Sequence, residues 1–526
     1  MTTRVPRFPK TKLIADVKER YDAIIVGGGH NGLTAAAYLA KAGKKVAVFE
    51  KRHVLGGAAV TEEIIPGFRF SRASYLLSLF RPQIIQDLDL KKHGLKYHIP
   101  YPVYEKRLED LVKSIEPLID LPPFNQDDGT LKTIKTLAKV YQKGEISRKV
   151  SIQQILVRPI KMENVRDLYK LFTAPISKIM DQWFESDVLK ATLATDGVIG
   201  FAASPYDLGT GYVLFHHVLG GLDGIPGVWA IVYGGMGSVS AALAKAADSL
   251  GVEMFVESEV NSVLIDNDQA LGIQIGNKQI FADMVFSNLT PHVTFNSLIP
   301  KTLVKDELKK DLNNVDYTSP VCKINVALNE LPNFTSVPNT NKNTVMPHHQ
   351  ATIHLNCENM GIIDSGFRDF QQGAWSKRPV IELTIPSSID RSIVDKENTH
   401  VGLIFTQYTP YNLADNQKWD EANKKKYAEQ VFSQIDEYAP NFSKSVVGYE
   451  VLPPPELEKI FNLTGGNIFH GTMSLDQLYF LRPSKALANY KTSFKGLFLC
   501  GSGTHPGGGV TGGPGRLAAL TALNKL

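Results

Sequence analysis

The chain has 526 residues, 43% hydrophobic and 21% charged, which is enough for two or three domains with separate cores. Its net charge of +4 is small, acids balance lysine and arginine along most of its length, and no basic stripe is interleaved with aromatics, so nucleic-acid binding is excluded. No stretch approaches the roughly 20 apolar residues that span a bilayer, and the three cysteines (Cys322, Cys357, Cys500) form no CxxC or CxxxxC pair, which removes dithiol relay chemistry and a disulfide-stapled secreted fold.

Residues 1–20, MTTRVPRFPKTKLIADVKER, are basic and hydroxylated with no acid before Asp16. They read as an N-terminal tail and a candidate mitochondrial presequence, although Pro6 and Pro9 interrupt an amphipathic helix. Residues 21–75 read as the first part of a dinucleotide-binding domain. A short β-branched strand ending at Val26 runs into Gly27-Gly28-Gly29-His30-Asn31-Gly32, then an alanine-rich helix over 33–42 stopped by Gly43. Gly27 permits the turn, Gly29 is expected to let the backbone approach a pyrophosphate, and Gly32 lets the helix pack closely on the strand. The helix N-terminus favours an anion by roughly 0.3 to 2 kcal/mol. A second strand over 45–49 ends at Glu50, eighteen positions beyond Gly32. A carboxylate there accepts ribose hydroxyls and disfavours a 2′-phosphate. His30 is expected to contribute shape rather than catalysis.

Residues 76–225 read as a mostly helical insert, with a polar break at 122–129. The apolar run 75–80 with Ile84 and Ile85 reads as core in preference to a membrane-touching patch. Residues 226–299 return to the dinucleotide domain. Tyr233-Gly234-Gly235-Met236-Gly237-Ser238 opens a second alanine-rich helix, but Ser240 stands where a third glycine belongs, so no second nucleotide site is expected. Residues 300–455 read as a mixed sheet with strands at 321–328, 351–355, 379–385 and 401–408 and a surface helix over 421–438. Neither His216-His217 nor His348, His349 and His354 has zinc-site spacing or acid partners, and no metal is expected. In the last part, 456–526, a buried strand at 496–500 leads into Gly501-Ser502-Gly503-Thr504-His505-Pro506-Gly507-Gly508-Gly509-Val510-Thr511-Gly512 and a helix over 517–523. So many glycines point to backbone lying against a ligand. His505 is the candidate for catalytic proton movement, against the stronger reading of a loop histidine bonded to backbone.

Several long stretches carry a resemblance: VGGGHNGL, FEKRHVLGGAAVTEEIIPGFRFSRASYLLSL from Phe49, LTGGNIFHGTMSLDQLYFLRP from Leu463 and LFLCGSGTHPGGGVTG from Leu497. They resemble the carotenoid and retinoid oxidoreductases, the phytoene desaturase-like flavoproteins. The resemblance implies an α/β fold: a discontinuous FAD-binding Rossmann-like domain of the glutathione-reductase-like kind, with an inserted α+β substrate domain. It implies FAD as cofactor, held by Val26 to Gly32 (Val26, Gly27, Gly28, Gly29, His30, Asn31, Gly32), Glu50, Lys51, Gly56, Gly57 and Ala58. It also implies that Val260 pairs its backbone with the adenine and that Gly501, Gly503, Gly509, Val510 and Thr511 border the flavin. Where many relatives carry an arginine after the glycine pair this chain has Ala58, so that contact is not carried over, and Arg52 is the candidate substitute. His470, Asp476 and Tyr479 are candidates to line the cleft.

The implied chemistry is hydride transfer from a small hydrophobic, polyene or lipid-like substrate to flavin N5. The alternatives are a redox-neutral flavin isomerase and a non-catalytic FAD-binding escort or assembly factor. The resemblance also implies the mitochondrial matrix, with peripheral association with the inner membrane and an effect on mitochondrial function; the alternative is the cytoplasm.

Overall fold

The computed structural model describes residues 6–99, 119–120 and 162–525, and the polar break expected at 122–129 lies outside the described residues. The strand Arg20–Val26 runs through the middle of a seven-stranded sheet, paired in parallel with Val46–Phe49 on one side and Lys278–Ser287 on the other. Its apolar residues are continuous because both faces are covered, and Ala23, Ile24 and Ile25 are fully buried. Glu253–Phe255 extends the sheet in parallel beyond Val46–Phe49. On its other edge Lys278–Ser287 serves two further neighbours. Its first half pairs antiparallel with Gln269–Ile275, which pairs with Ser262–Asp266, whereas its last residues pair in parallel with Leu497–Leu499. That second pairing returns the C-terminal segment to the end of Arg20–Val26, beside the first glycine loop.

The helix His30–Lys41 is buried at every residue from His30 to Ala40, because it packs against the sheet, the helix Gly237–Ser249 and the helix Gly513–Ala522. Its alanines keep those approaches short. At the tightest point a Cβ on Gly515 would lie 2.0 Å from the Asn31 carbonyl oxygen, so only glycine fits. The C-terminal helix starts at Gly513 rather than at 517: Pro514 occupies its first turn, where no donor is needed, and the Thr511 hydroxyl accepts the Gly513 N–H at 3.0 Å.

The described part of the N-terminal segment, from residue 6, is docked on the body of the protein. Phe8 packs on the core around His30–Lys41, and the Lys12 N–H donates to the Met254 carbonyl at 2.8 Å, covering the edge strand. The ammonium groups of Lys12 and Lys18 pair with Glu253 at 2.8 and 2.5 Å. Burial opposes ionisation of Glu253, but hydrogen bonds from Lys12, Lys18 and Tyr21 prevail and hold its carboxyl down at about 2. A sheet edge carrying a buried carboxylate requires these cations, and that requirement fixes the segment.

The second sheet, expected to be mixed, is antiparallel throughout, in the order Ile353–Leu355, Val380–Thr384, His400–Gln407, Val321–Leu328, Val446–Leu452. On the central strand Cys322, Ile324, Val326 and Leu328 pack on the helix Glu421–Asp436 through Tyr427, Ala428, Val431 and Ile435. The alternate residues Val321, Lys323, Asn325 and Ala327 turn the other way, toward the dinucleotide domain, where the Asn325 amide donates to the Arg72 carbonyl at 3.1 Å. No helix among the described residues is long and apolar enough to cross a membrane. In the apolar run after Tyr75, Leu77 and Phe80 belong to the core with Ile84 and Ile85.

Candidate active site

The first glycine loop is built against a second one. Gly56 donates its N–H to the Gly28 carbonyl at 2.8 Å, and a Cβ on Gly57 would come within 3.2 Å of Gly29 Cα. Both glycines have positive φ, 118° and 59°, so the pair serves this backbone contact. The Glu50 carboxylate accepts N–H groups from Gly28 at 2.8 Å and Arg52 at 2.9 Å. A carboxylate offers about four acceptor positions, so two hydroxyls can still be taken. Among the described residues no side chain caps the helix that starts at His30, which leaves its positive end for an anion. Arg52 donates to the Gly57 carbonyl at 3.3 Å and pairs with Glu62 at 2.7 Å, so it braces the glycine pair. Lys51 is exposed, and Val260 is buried beside the stacked rings of Phe49 and Phe255.

The other glycine turn has its donors occupied. The Met236 N–H donates to the Ser71 hydroxyl and that of Gly237 to the Thr61 hydroxyl, both at 2.9 Å. A Cβ on Gly237 would lie 2.5 Å from the Thr61 nitrogen, and the Ser240 hydroxyl is bonded to the Ala59 carbonyl. This turn packs on protein.

The two ends of the chain meet at a cleft of about 980 Å³, counting its open mouth, between the glycine segments and the antiparallel sheet. His30, Ala58, Ser502, Gly509 and Val510 form its dinucleotide-side wall, and Tyr75, Ile199, Trp229, Lys323 and Phe405 form the opposite one. The Asn31 amide donates to the Ser502 hydroxyl at 2.9 Å across 471 positions of sequence. Burial lowers the His30 imidazole to about 4, so it is neutral. His30 Nε2, Asn31 Oδ1 and His470 Nδ1 are buried without a hydrogen-bond partner among the described residues. His30 and His470 line the cleft, and unpaired buried polar atoms there mark a place for a polar ligand.

Three expectations are corrected by this geometry. His505 is absent from the residues lining the cleft: its Nε2–H donates to the Ile119 carbonyl at 3.1 Å and its ring meets Tyr479 edge-on at 5.0 Å. Asp476 is exposed, and Tyr479 packs on His505; of those candidates only His470 reaches the cleft. A side chain at Gly29 would point at the Asn288 amide, 2.8 Å away, so this neighbour adds a steric demand of its own at that position. Likewise a Cβ on Gly509 would lie 2.3 Å from Leu79 Cδ1. Gly501 and Gly503 pack on the Asn288 carbonyl and the Pro291 ring, and Thr511 caps the C-terminal helix. The paired histidines bond to protein: His216 Nε2 to the Gly508 carbonyl at 3.1 Å, His217 Nδ1 to the carbonyls of Asp196 and Val213 at 2.9 Å, and His349 Nε2 to that of Pro332 at 2.9 Å.

Two residues of the site had no place in the motif reading. Arg482 is fully buried, and its guanidinium donates to the carbonyls of Phe469, Gly471, Thr472, Gln477 and Ser502. It makes no ion pair among the described residues. Burial lowers it to about 10, so it holds a positive charge behind the cleft wall at neutral pH. Lys323 is the other. It lies on a strand buried at every residue, and the i, i+2 pairing of Lys323 with Asn325 on one face was its sequence signal.

A Rossmann-like dinucleotide site, closed by a glycine segment from the far end of the chain and faced by a separate antiparallel sheet, defines a two-domain oxidoreductase. A family profile described as an NAD(P)-binding Rossmann-like domain matches residues 25–89. The chain is 45% identical to rat (Rattus norvegicus) pyridine nucleotide-disulfide oxidoreductase domain-containing protein 2, over 97% of this chain and 94% of the rat protein. It is 26% identical to a limonene dehydrogenase polypeptide of Castellaniella defragrans over 98% of this chain and 96% of that protein. Among solved structures it shares its fold with an oxidoreductase from Methanosarcina mazei, with a TM-score of 0.54, 16% identity and coverage of 96% and 100% of the two chains. The chain belongs to the family of pyridine nucleotide-disulfide oxidoreductase domain-containing protein 2. The disulfide in that name has no counterpart in its geometry: Cys322, Cys357 and Cys500 are all free and buried, and desolvation raises all three thiols.

Proposed function

We propose that the protein is an FAD-dependent oxidoreductase that removes a hydride from carbon of a hydrophobic, polyene or lipid-like substrate. The observation that carries this reading is the meeting of His30 with Ser502, Gly509 and Val510 on one wall of an otherwise mainly apolar cleft, where the Asn31 amide holds the Ser502 hydroxyl. The residues fit such a cofactor: a ribose-binding carboxylate at Glu50, an uncapped helix N-terminus after Gly29, and the unpaired polar atoms of His30, Asn31 and His470. Bound there, FAD supplies a two-electron acceptor at N5. The chain's own contribution is orientation, exclusion of water by Tyr75, Trp229, Phe405 and Phe469, and the fixed positive charge of Arg482, which favours the electron-rich reduced state.

The terpene in the name of the Castellaniella relative supports a hydrophobic substrate. Redox-neutral isomerisation by reduced flavin uses the same cleft, and turnover without net electron uptake would select it; a non-catalytic FAD-binding escort would hold a flavin that no substrate bleaches. The deciding experiment is anaerobic mixing of the purified protein with terpene and polyene hydrocarbons. Bleaching of the flavin band with formation of a dehydrogenated product is expected, and a protein that binds flavin yet is never bleached would overturn the reading. The basic N-terminus supports a mitochondrial-matrix address with peripheral contact to the inner membrane. Recovery of the tagged protein in a protease-protected mitochondrial fraction is expected, and exclusive cytosolic recovery would contradict it.

A further inference from the structure

The sheet-side wall of the cleft carries one cation among the described residues. Lys323 is 2% exposed and lines the cleft beside Tyr75, whose ring centroid is 5.6 Å from Nζ. Of its three N–H donors, one goes to the Asn325 Oδ1 at 2.7 Å, and the others take no partner among the described residues. Lys323 makes no ion pair among the described residues. Glu450 is taken by Arg72, with a 2.6 Å contact to Nη2 and others from Nε at 3.0 and 3.2 Å, and by the Asn325 amide at 3.1 Å. Glu382 is taken on one oxygen by the Tyr75 hydroxyl at 2.6 Å. Both neighbouring strands present apolar partners to Lys323, Phe405 and Leu452, and Cys322 precedes it on its own strand.

No aspartate or glutamate lines the cleft among the described residues. Its histidines are neutral, because burial lowers His30 and His217 to about 4 and His470 to about 3. Among the described residues, the only lining side chain that can carry charge near neutrality is therefore Lys323. Desolvation lowers it to about 7 against the attraction of Glu450. A buried ammonium without its own counter-ion is costly, and a ligand that supplies the anion removes that cost. A ligand ammonium would meet Lys323 and the field of Arg482 with no carboxylate to receive it.

We propose that the cleft binds amphipathic acids, with the carboxylate on Lys323 Nζ and the apolar chain along Tyr75, Ile199, Trp229 and Phe405. This rests on the reading of the cleft as the substrate site, and it gives that substrate a polar end. The test is isothermal titration calorimetry of the purified protein with decanoate, decan-1-ol and decylamine. Decanoate is expected to bind at least about tenfold more tightly than either, as a charge-assisted hydrogen bond is worth, and to take up a proton above pH 7. Lys323→Met should erase the preference and leave decan-1-ol affinity unchanged, while Lys323→Arg should restore it. Decylamine binding tightest, equal affinity for all three, or a preference that survives Lys323→Met would overturn the proposal. If Lys323→Met does not fold, the ranking in the native protein and the arginine variant still decide. Flavin content measured on the same samples separates the two readings: a colourless protein that prefers decanoate sinks the flavin reading alone, and a flavoprotein without the preference sinks this one.

Discussion

Two glycine turns open alanine-rich helices in this chain, at 27–32 and at 234–238, and the difference between them lies in what satisfies their backbone donors. At the second, hydroxyls from Ser71 and Thr61 take the N–H groups of Met236 and Gly237. At the first, no side chain among the described residues caps the helix, and the Glu50 carboxylate sits on Gly28 at the strand end. Glycine there serves protein contacts in both turns; what reserves one for a ligand is the missing cap.

The sharpest way to break the comparison is Gly32→Ala. Its Cβ would lie 2.3 Å from the Gly27 carbonyl oxygen and 3.1 Å from Ile25 Cγ2, and neither can yield without moving the loop. No dinucleotide is expected to be retained, with a stability loss of about 1–3 kcal/mol, both read on the purified variant; wild-type retention would contradict the placement of the loop. Acid comes next. His30 has a folded value of about 4 against 6.5 when exposed, so folding favours its neutral form: its contribution is intact above 6.5 and is lost as pH falls toward 4. At about 1.4 kcal/mol per unit this amounts to as much as ~3 kcal/mol. Stability measured from pH 7 to 4 should fall less steeply in His30→Gln, and parallel curves would refute the assignment. Glu50→Gln keeps the shape and removes the charge, and flavin affinity should weaken by about 1.5–3 kcal/mol in a fluorescence titration of stripped protein. Thr61→Val uncaps the second turn, where about 0.5–2 kcal/mol of stability should be lost in denaturant melts with flavin content unchanged. Loss of flavin in that variant would mean that the second turn also serves the cofactor.

Sequence legibility follows the same division. The strand, turn, helix and acid of residues 23–50 announce themselves because each residue type is dictated locally. The helix Glu421–Asp436 and four of the five strands of the second sheet were legible from periodicity, to within a few residues at their ends, whereas Val446–Leu452 was not read. The antiparallel strands Ser262–Asp266 and Gln269–Ile275 were not read, although Asn267 and Asp268, with φ of 48° and 56°, supply the turn between them. Lys323 passed as part of a core strand, because its importance comes from which face the strand turns to the cleft. His505 misled for the opposite reason: a glycine-rich setting points to a ligand, but the chain direction there aims its ring at Ile119. The docking of Lys12 and Lys18 depends on Glu253, over 230 positions away, which no local pattern reveals.

Everything proposed for the cleft depends on residues 27–32 and 501–511 forming one flavin site. Denaturing the purified protein and identifying what it releases tests this most directly. One equivalent of FAD per chain, with the two-banded flavin spectrum in the native protein, is the predicted result. A chain that folds, melts cooperatively and yields no flavin, before or after incubation with FAD, would contradict it.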